Sequence, residues 1–206
     1  MARPFVIGVT GRSGSGKTSL VRNIQETYGT HVVTIHTMDN YYKSSEDQCL
    51  DDRGIKNFDL PESFTKEKFC EDLKKLVSGS DISILTYDYT IEGSSDEEII
   101  KSAPVIIVEG LFIYHFSEVN KLLDYKVMVD LPLDIAYQRR LRRDMEERDY
   151  TEEETHYRYM SHVEPAYITY ISPHKGDMDL VVDNRSNLDE GMRVISKKID
   201  KIIATP

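Results

Sequence analysis

The residues best suited to chemistry come early: Gly8-Val9-Thr10-Gly11-Arg12-Ser13-Gly14-Ser15-Gly16-Lys17-Thr18 fits the pattern G-x-x-x-x-G-K-[ST]. Glycines at 11, 14 and 16 let the backbone curl until its N–H groups point inward, and a helix starting just after them adds its positive end. The result is a cradle for phosphate, with Ser13 and Ser15 set between the glycines. Lys17 has the reach to place its charge on the β- and γ-phosphates of a nucleotide, and the Thr18 hydroxyl suits a Mg²⁺ ligand. A Gly/Ser-rich linker would not sit between the apolar Phe5-Val6-Ile7 and the helix-like Ser19-Leu20-Val21-Arg22-Asn23-Ile24. Nucleotide-phosphate binding follows from these residues.

Further chemistry lies where apolar runs end in carboxylates. Ile35-His36-Thr37 leads into Met38-Asp39-Asn40-Tyr41-Tyr42-Lys43. A carboxylate at Asp39, beside the phosphate loop, can accept a proton from an attacking hydroxyl or help hold Mg²⁺; a plain Asp-Asn turn fits the residues equally well. Val105-Ile106-Ile107-Val108-Glu109-Gly110 reads as a central parallel strand buried on both faces, and its terminal Glu109 is a metal candidate, because an unpaired Glu there is costly to bury. In Asn57-Phe58-Asp59-Leu60-Pro61 an aromatic beside a carboxylate suits a base and ribose hydroxyls, while a helix entry with Phe58 as staple fits the composition better. Tyr87-Asp88-Tyr89 is explained equally well by edge-strand packing.

The segment 133–148 carries an apolar stripe of Leu133, Ala136, Tyr137, Leu141 and Met145, with arginines at 139, 140, 142, 143 and 148 on its other faces. Pairs such as Arg140–Asp144 and Asp144–Arg148 at i,i+4 are ordinary on a solvated helix. In a chain of net charge −10, though, these arginines form the one dense positive patch, and arginine clamps phosphate bidentately. A phosphate-closing lid at about 139–160 is the expectation. His156, His162 and His174 match no metal spacing and read as structural. Tyr157, Tyr159, Tyr167 and Tyr170 read as packing residues, and Pro165 should bend or interrupt its helix.

The elements that must position these residues alternate in length and period. Strand-like runs at 5–10, 31–37, 82–89, 105–109, 125–130 and 180–182 alternate with helix-like runs at 17–28, 65–77, 114–123, 133–147, 152–171 and 188–203. That pattern predicts an α/β fold, a P-loop NTPase-type parallel sheet with helices on both faces and an Arg-rich helical lid, within a single domain over 1–206. Segment 44–60 reads as a solvated, mobile loop and 92–98 as an acidic turn. Net charge −10 disfavours nucleic acid or an anionic membrane as partner and favours small substrates. Cys49 and Cys70 form no C-x-x-C pair, the start shows no leader pattern and no apolar run is long enough for a bilayer, so a soluble cytoplasmic protein is expected.

Taken in order, these segments resemble the uridine kinase (uridine/cytidine kinase) family of P-loop kinases over nearly the whole chain. Gly11 to Thr18 resembles its ATP loop, 38–43 its D-x-F-Y-[KR], 57–61 its N-F-D-x-P and 87–89 its Y-D-F. Val108-Glu109-Gly110 is similar to its [FV]-E-G, 139–144 to its R-R-x-x-R-D and 163–167 to its V-x-P-x-[FY]. The resemblance implies ATP-dependent transfer of a phosphoryl group to the 5′-hydroxyl of a pyrimidine nucleoside, with Mg²⁺. It implies Asp39 as general base, also near the metal, with Lys17 and Arg143 as its catalytic partners. Glu109 and Thr18 organise Mg²⁺, and Asp59 binds ribose hydroxyls. Tyr42, Phe58 and Tyr87 flank the base, Lys43 lies on the substrate side, and Arg140, Arg143 and Arg148 close on the triphosphate. Glu92 stands where the family usually has a His against the pyrimidine, and a carboxylate there suits a base with donor groups such as cytosine, a cationic ring or a different alcohol. After the lid helix, Arg148-Asp149-Tyr150-Thr151 is one arginine short of the family's R-G-R-D, and Arg158 falls where a Gln is common. A homo-oligomer, a tetramer, is also what the resemblance implies. The competing readings are a related P-loop kinase of nicotinamide riboside, ribulose phosphate or pantothenate, a nucleotide-dependent switch or motor, and a non-catalytic ATP-binding module. No N-K-x-D or L-S-G-G-Q is present to favour a switch or a transporter ATPase.

Overall fold

Five parallel strands in the order β2-β5-β1-β6-β7 form the central sheet of the computed structural model, which describes residues 3–88 and 93–204. They are β1 (Phe5–Gly11), β2 (Val33–Thr37), β5 (Val105–Glu109), β6 (Tyr125–Asp130) and β7 (Leu180–Asp183). Alternation along each strand sorts its side chains onto two faces. Ile7, Val9, Ile107, Val127 and Val129 pack with Leu20, Val21 and Ile24 of α1 (Lys17–Tyr28) and with Ile195 and Ile199 of α7 (Asp189–Ile203). Val6, Ile106, Val108 and Met128 face the other way, onto Phe69, Leu73 and Leu76 of α2 (Lys66–Val77) and onto Phe112, Ile113 and Ile171. Each such side chain contributes about 1.5–3 kcal/mol by leaving water, which is why β5, buried at every position, reads as an unbroken apolar run. The register brings Thr37 opposite Glu109 and Val9 opposite Glu109, so the carboxyl ends of β2, β5 and β1 meet at one edge.

Four expectations from the sequence need correction. First, 82–88 is a strand but not of the parallel sheet: β3 (Ile82–Asp88) pairs antiparallel with β4 (Gly93–Ile100) as a separate ribbon. The acidic stretch is therefore β4 from residue 93 onward, not a turn. Its Asp96, Glu97 and Glu98 lie on solvated positions, where they mask a strand signal that only Ile99 and Ile100 carry. Second, the helix expected over 114–123 shrinks to α3 (Ser117–Asn120). Tyr114 is used otherwise, its buried hydroxyl donating to the Gly8 carbonyl at 2.6 Å and accepting from the Val127 N–H at 2.8 Å.

Third, the 44–60 loop is docked. Asp51 accepts from the backbone N–H of Arg53 and Ile55, and its other oxygen accepts from the Tyr157 hydroxyl and His162 Nε2, each at 2.7 Å. Those four donors hold its carboxyl well below the usual carboxylate range despite the opposing cost of burial. Fourth, the helix expected over 152–171 is not one α-helix: it is interrupted around Pro165, as the proline implies, but by π-turns rather than by a break. α5 (Glu152–Arg158), opened by a capping box of Thr151 and Glu154, runs through a π-turn at Tyr159–Val163, α6 (Glu164–Ala166) and a second π-turn at Tyr167–Ile171. The wider turns absorb a ring that lacks the N–H an α-turn needs. The arginine-bearing helix is α4 (Leu133–Glu147).

One buried histidine ties stability to pH. His36, fully buried and stacked on Phe69 at 4.5 Å, bonds through Nε2 to the Phe69 carbonyl, which can only accept, so Nε2 carries the proton. Burial pushes its imidazole down to about 4, against the smaller pull of that carbonyl and of Asp72. A histidine with a lowered folded value stabilises the fold above its unfolded value near 6.5 and loses that contribution as pH falls toward 4. The share of His36 between pH 7.5 and pH 5 is about 2 kcal/mol, read by denaturant titration as the difference between the parent and His36→Phe, since other buried groups titrate alike in both.

Candidate active site

The glycine loop is shaped by what surrounds it. Gly14 and Gly16 have φ of 83° and 98°, the left-handed region that glycine enters without strain. A Cβ at Gly14 would come 2.4 Å from the Ala136 carbonyl oxygen of α4, and one at Gly16 would come 2.5 Å from Asn184 Nδ2. Asn184 Nδ2 donates to the Ser15 carbonyl at 2.7 Å, and its own carbonyl accepts from Arg139 at 3.1 Å. Arg140 donates to Ser13 Oγ at 2.8 Å. The loop is thus braced by the arginine helix and by the end of β7. Lys17 opens α1 in a buried position with Nζ 3.4 Å from the Arg12 carbonyl. Burial lowers its pKa, and the negative charges of Glu109 and Asp39 oppose that.

Two carboxylates stand near Lys17. Glu109 is 2% exposed and accepts from Thr37 Oγ1 at 3.1 Å. Burial and the adjacent Asp39 charge push its carboxyl up to about 7, against Lys17 and the Thr37 hydrogen bond. Asp39 sits in a 3₁₀ turn, Met38–Tyr41, whose first N–H contact is Asp39 N to Thr37 Oγ1 at 3.3 Å. Two carboxylates crowded until one is driven toward neutrality, in a cavity that Thr18 also lines, suit a hard divalent cation that takes oxygen ligands and completes its shell with phosphate and water. Among the described residues there is no cluster of three or more His, Cys, Asp or Glu that would hold a metal by itself.

A cavity of about 880 Å³ joins these groups to a second set. Ser13, Gly14, Gly16, Lys17, Thr18, Asp39 and Glu109 line one part. Tyr42, Phe58, Asp59 and Tyr87 line another, with ring centroids 5.1 Å apart for Tyr42 and Tyr87 and 6.1 Å for Tyr42 and Phe58. Asn40 Oδ1 accepts from the Tyr87 N–H at 3.2 Å, tying the hairpin to the segment that carries Asp39. Tyr42 is held neutral by burial and by the charges of Asp39 and Asp59. Asp59 is 8% exposed, its N–H bonded to Asn57 Oδ1 at 2.9 Å.

Arg140, Arg143 and Arg148 also line the cavity, together with Arg139, Arg142 and Arg158. Both i,i+4 pairs of Asp144 that the spacing allows are formed, but around a buried carboxylate rather than on a solvated face. Asp144 is 1% exposed, forms a close ion pair with Arg140, and lies 3.5 Å from Arg143 and from Arg148. Burial alone would lower the Arg140 pKa, but Asp144 and Asp59 more than reverse this and raise it. One carboxylate therefore gathers three cations that would otherwise repel each other.

Lys43, Gly11 and Ser15 are not part of the cavity lining. For Lys43 the reason is main-chain pairing: its N–H donates to the Ser63 carbonyl and its own carbonyl accepts from Gln48, while neighbouring Tyr42 takes the cavity position. Gly11 instead lets the chain pass Val129, whose carbonyl oxygen lies 2.2 Å from where a Cβ would be. Ser15 acts through its carbonyl, and Glu92 lies outside the described residues. Sequence reasoning passed over Asn184, Thr37 and Arg12. Arg12 stacks on Tyr167 at 3.7 Å and pairs with Glu164, joining the loop to the helical run at the Val163–Tyr167 motif. Only the placement of polar residues at strand ends hinted at Asn184 and Thr37.

A switch or a motor needs a nucleotide pocket, but it has no use for a second, aromatic-walled compartment opening onto the same carboxylate. A glycine loop at the end of β1 and a carboxylate at the end of β5, in a parallel α/β sheet, are the framework of a P-loop kinase, an α/β phosphotransferase. The chain belongs to the phosphoribulokinase/uridine kinase family, whose model matches residues 6–189. It is 34% identical over 203 residues to a uridine kinase of Streptococcus gordonii, covering 98% of this chain and 96% of that protein. It is 38% identical over 192 residues to a uridine kinase of Borrelia turicatae, covering 93% and 92%. Phosphoribulokinase from Rhodobacter spheroides shares the fold, with a TM-score of 0.59 at 16% identity over 90% of this chain and 73% of that one. Membership of this family makes the protein a kinase with ATP as co-substrate. Among the described residues no helix is long and apolar enough to cross a membrane.

Proposed function

We propose that the protein transfers the γ-phosphoryl group of ATP to the 5′-hydroxyl of a pyrimidine nucleoside, uridine or cytidine. The observation that carries this reading is the aromatic compartment itself, three rings beside the nearly buried Asp59 carboxylate. Flat faces suit a base, and an acceptor-only carboxylate suits two ribose hydroxyls. Relatives named uridine kinase over nearly the full length support the same acceptor.

Asp39 accepts the proton of the 5′-hydroxyl as that oxygen bonds to the γ-phosphorus, and the bond to the β–γ bridging oxygen breaks to leave ADP. Lys17 and the loop N–H groups hold the β- and γ-phosphates. Arg140, Arg143 and Arg148 stabilise charge on the group in transfer. Thr18 and Glu109, with Asp39 close by, would hold Mg²⁺, which when bound supplies charge neutralisation on the phosphates. Tyr42, Phe58 and Tyr87 fix the base and Asp59 fixes the ribose, so the 5′-oxygen is held at the proton acceptor.

The test is a coupled assay of ADP release with uridine, cytidine, nicotinamide riboside, ribulose 5-phosphate and pantothenate, with the product identified by phosphorus NMR. Uridine or cytidine is expected to accelerate ADP release well above the ATP-only rate and to yield the 5′-monophosphate. Acceleration by one of the other alcohols and by neither nucleoside overturns the assignment.

A further inference from the structure

Asp39 lies in the turn that follows β2 and Glu109 ends β5, yet their relative placement passes through one side chain. Thr37 ends β2 directly opposite Glu109 in the parallel register. Its hydroxyl is bonded on both sides, donating to Glu109 Oε2 at 3.1 Å and accepting from the Asp39 backbone N–H at 3.3 Å. An N–H can only donate, so a lone pair of the hydroxyl goes to Asp39, and its single proton is free for the Glu109 carboxylate. The same contact caps the 3₁₀ turn that presents Asp39, where Thr37 has the extended backbone of an N-cap residue. Beneath that turn Met38 is fully buried against Gly110, where an added Cβ would come 2.5 Å from Met38 Cβ. The turn is therefore seated by packing at Met38 and aimed by hydrogen bonding at Thr37. Thr37 itself does not line the cavity.

We propose that Thr37 is a positioning residue for phosphoryl transfer, its hydroxyl locking the Asp39 turn to the Glu109 carboxylate so that the two oxygens serving acceptor and cation keep one mutual geometry. The inference rests on the function proposed above for Asp39 and Glu109. It predicts a loss in the chemical step and in cation binding without a loss in nucleoside or ATP binding, because the groups that hold base, ribose and phosphate are not touched.

Thr37→Val keeps the shape and deletes the hydroxyl, whereas Thr37→Ser keeps the hydroxyl and deletes the methyl. Thr37→Val is expected to lower kcat about 10- to 100-fold with KM for nucleoside and ATP changed less than about twofold. Thr37→Ser should stay within about threefold of the parent. Binding of Mn²⁺ to the protein loaded with a non-hydrolysable ATP analogue, followed by electron paramagnetic resonance, should weaken in Thr37→Val and not in Thr37→Ser. Should the valine variant fail to fold, Thr37→Ala carries the same expectation. A parental kcat in the variant lacking the hydroxyl, or equal losses in the valine and serine variants, overturns the proposal. A parent protein inactive on every pyrimidine nucleoside refutes the functional reading instead, and the Mn²⁺ measurement still decides the role of Thr37.

Discussion

Lys17→Ala is expected to lower kcat/KM for phosphoryl transfer by about 10²- to 10³-fold, the scale of removing one preorganised charge from a transition state. The setting of Lys17 argues for the upper part of that range. Its ammonium is buried, and the two negative charges that offset the cost of burying it are Glu109 and Asp39. Deleting it removes the phosphate contact and also leaves those carboxylates without their nearest cation. Glu109, already pushed up by burial and by Asp39 and held down in part by Lys17, then moves further up and holds its proton more tightly. A protonated Glu109 is a poorer cation ligand, so Mg²⁺ dependence should shift to higher concentration along with the rate. Steady-state kinetics over ATP and Mg²⁺ check both effects. A parental kcat/KM would remove Lys17 from the phosphate site.

Asp39→Asn is expected to lower kcat by about 10²- to 10⁴-fold while KM for the nucleoside changes little. Asparagine keeps the shape of the side chain, and the backbone N–H that Thr37 holds is present in both forms. What disappears is the ability to take a proton. The same substitution removes the charge that helps to raise Glu109, so the Glu109 carboxyl should titrate lower than about 7 in the variant. A pH titration of labelled glutamate by NMR reads that shift independently of turnover. An unchanged kcat excludes Asp39 as proton acceptor, and a raised Glu109 value would mean that the two carboxylates do not face each other.

The groups that carry chemistry were legible because they have no competing structural use. The spacing of Gly11, Gly14, Gly16, Lys17 and Thr18 wastes helix and strand propensity alike and is worth its cost only around a phosphate. Glu109 was legible because β-branched runs do not end in a carboxylate by packing logic alone. Asp59 and Phe58 were not legible from chemistry. A helix entry accounts for the same residues, and only the cavity they share with Tyr42 and Tyr87 separates the alternatives. The hairpin strand β4 was hidden for a related reason: a strand exposed at four successive positions, 96 to 99, has the composition of a turn.

By itself the sequence determined the α/β alternation, the phosphate loop, the strand-end carboxylates and the arginine-rich helix, because period, spacing and charge density act over a few neighbouring residues. Tertiary structure alone decided which of these meet. The insertion of β5 between β1 and β2 puts Glu109 beside Thr37 and the loop, although some seventy residues separate them along the chain. It also decided that the ion pairs of Asp144 are buried rather than solvated, that Asp51 docks a loop of solvated appearance onto Tyr157 and His162, and that Tyr42 lines the cavity while its neighbour Lys43 does not. Those outcomes depend on burial and on partners distant in sequence, and local spacing carries no information about either.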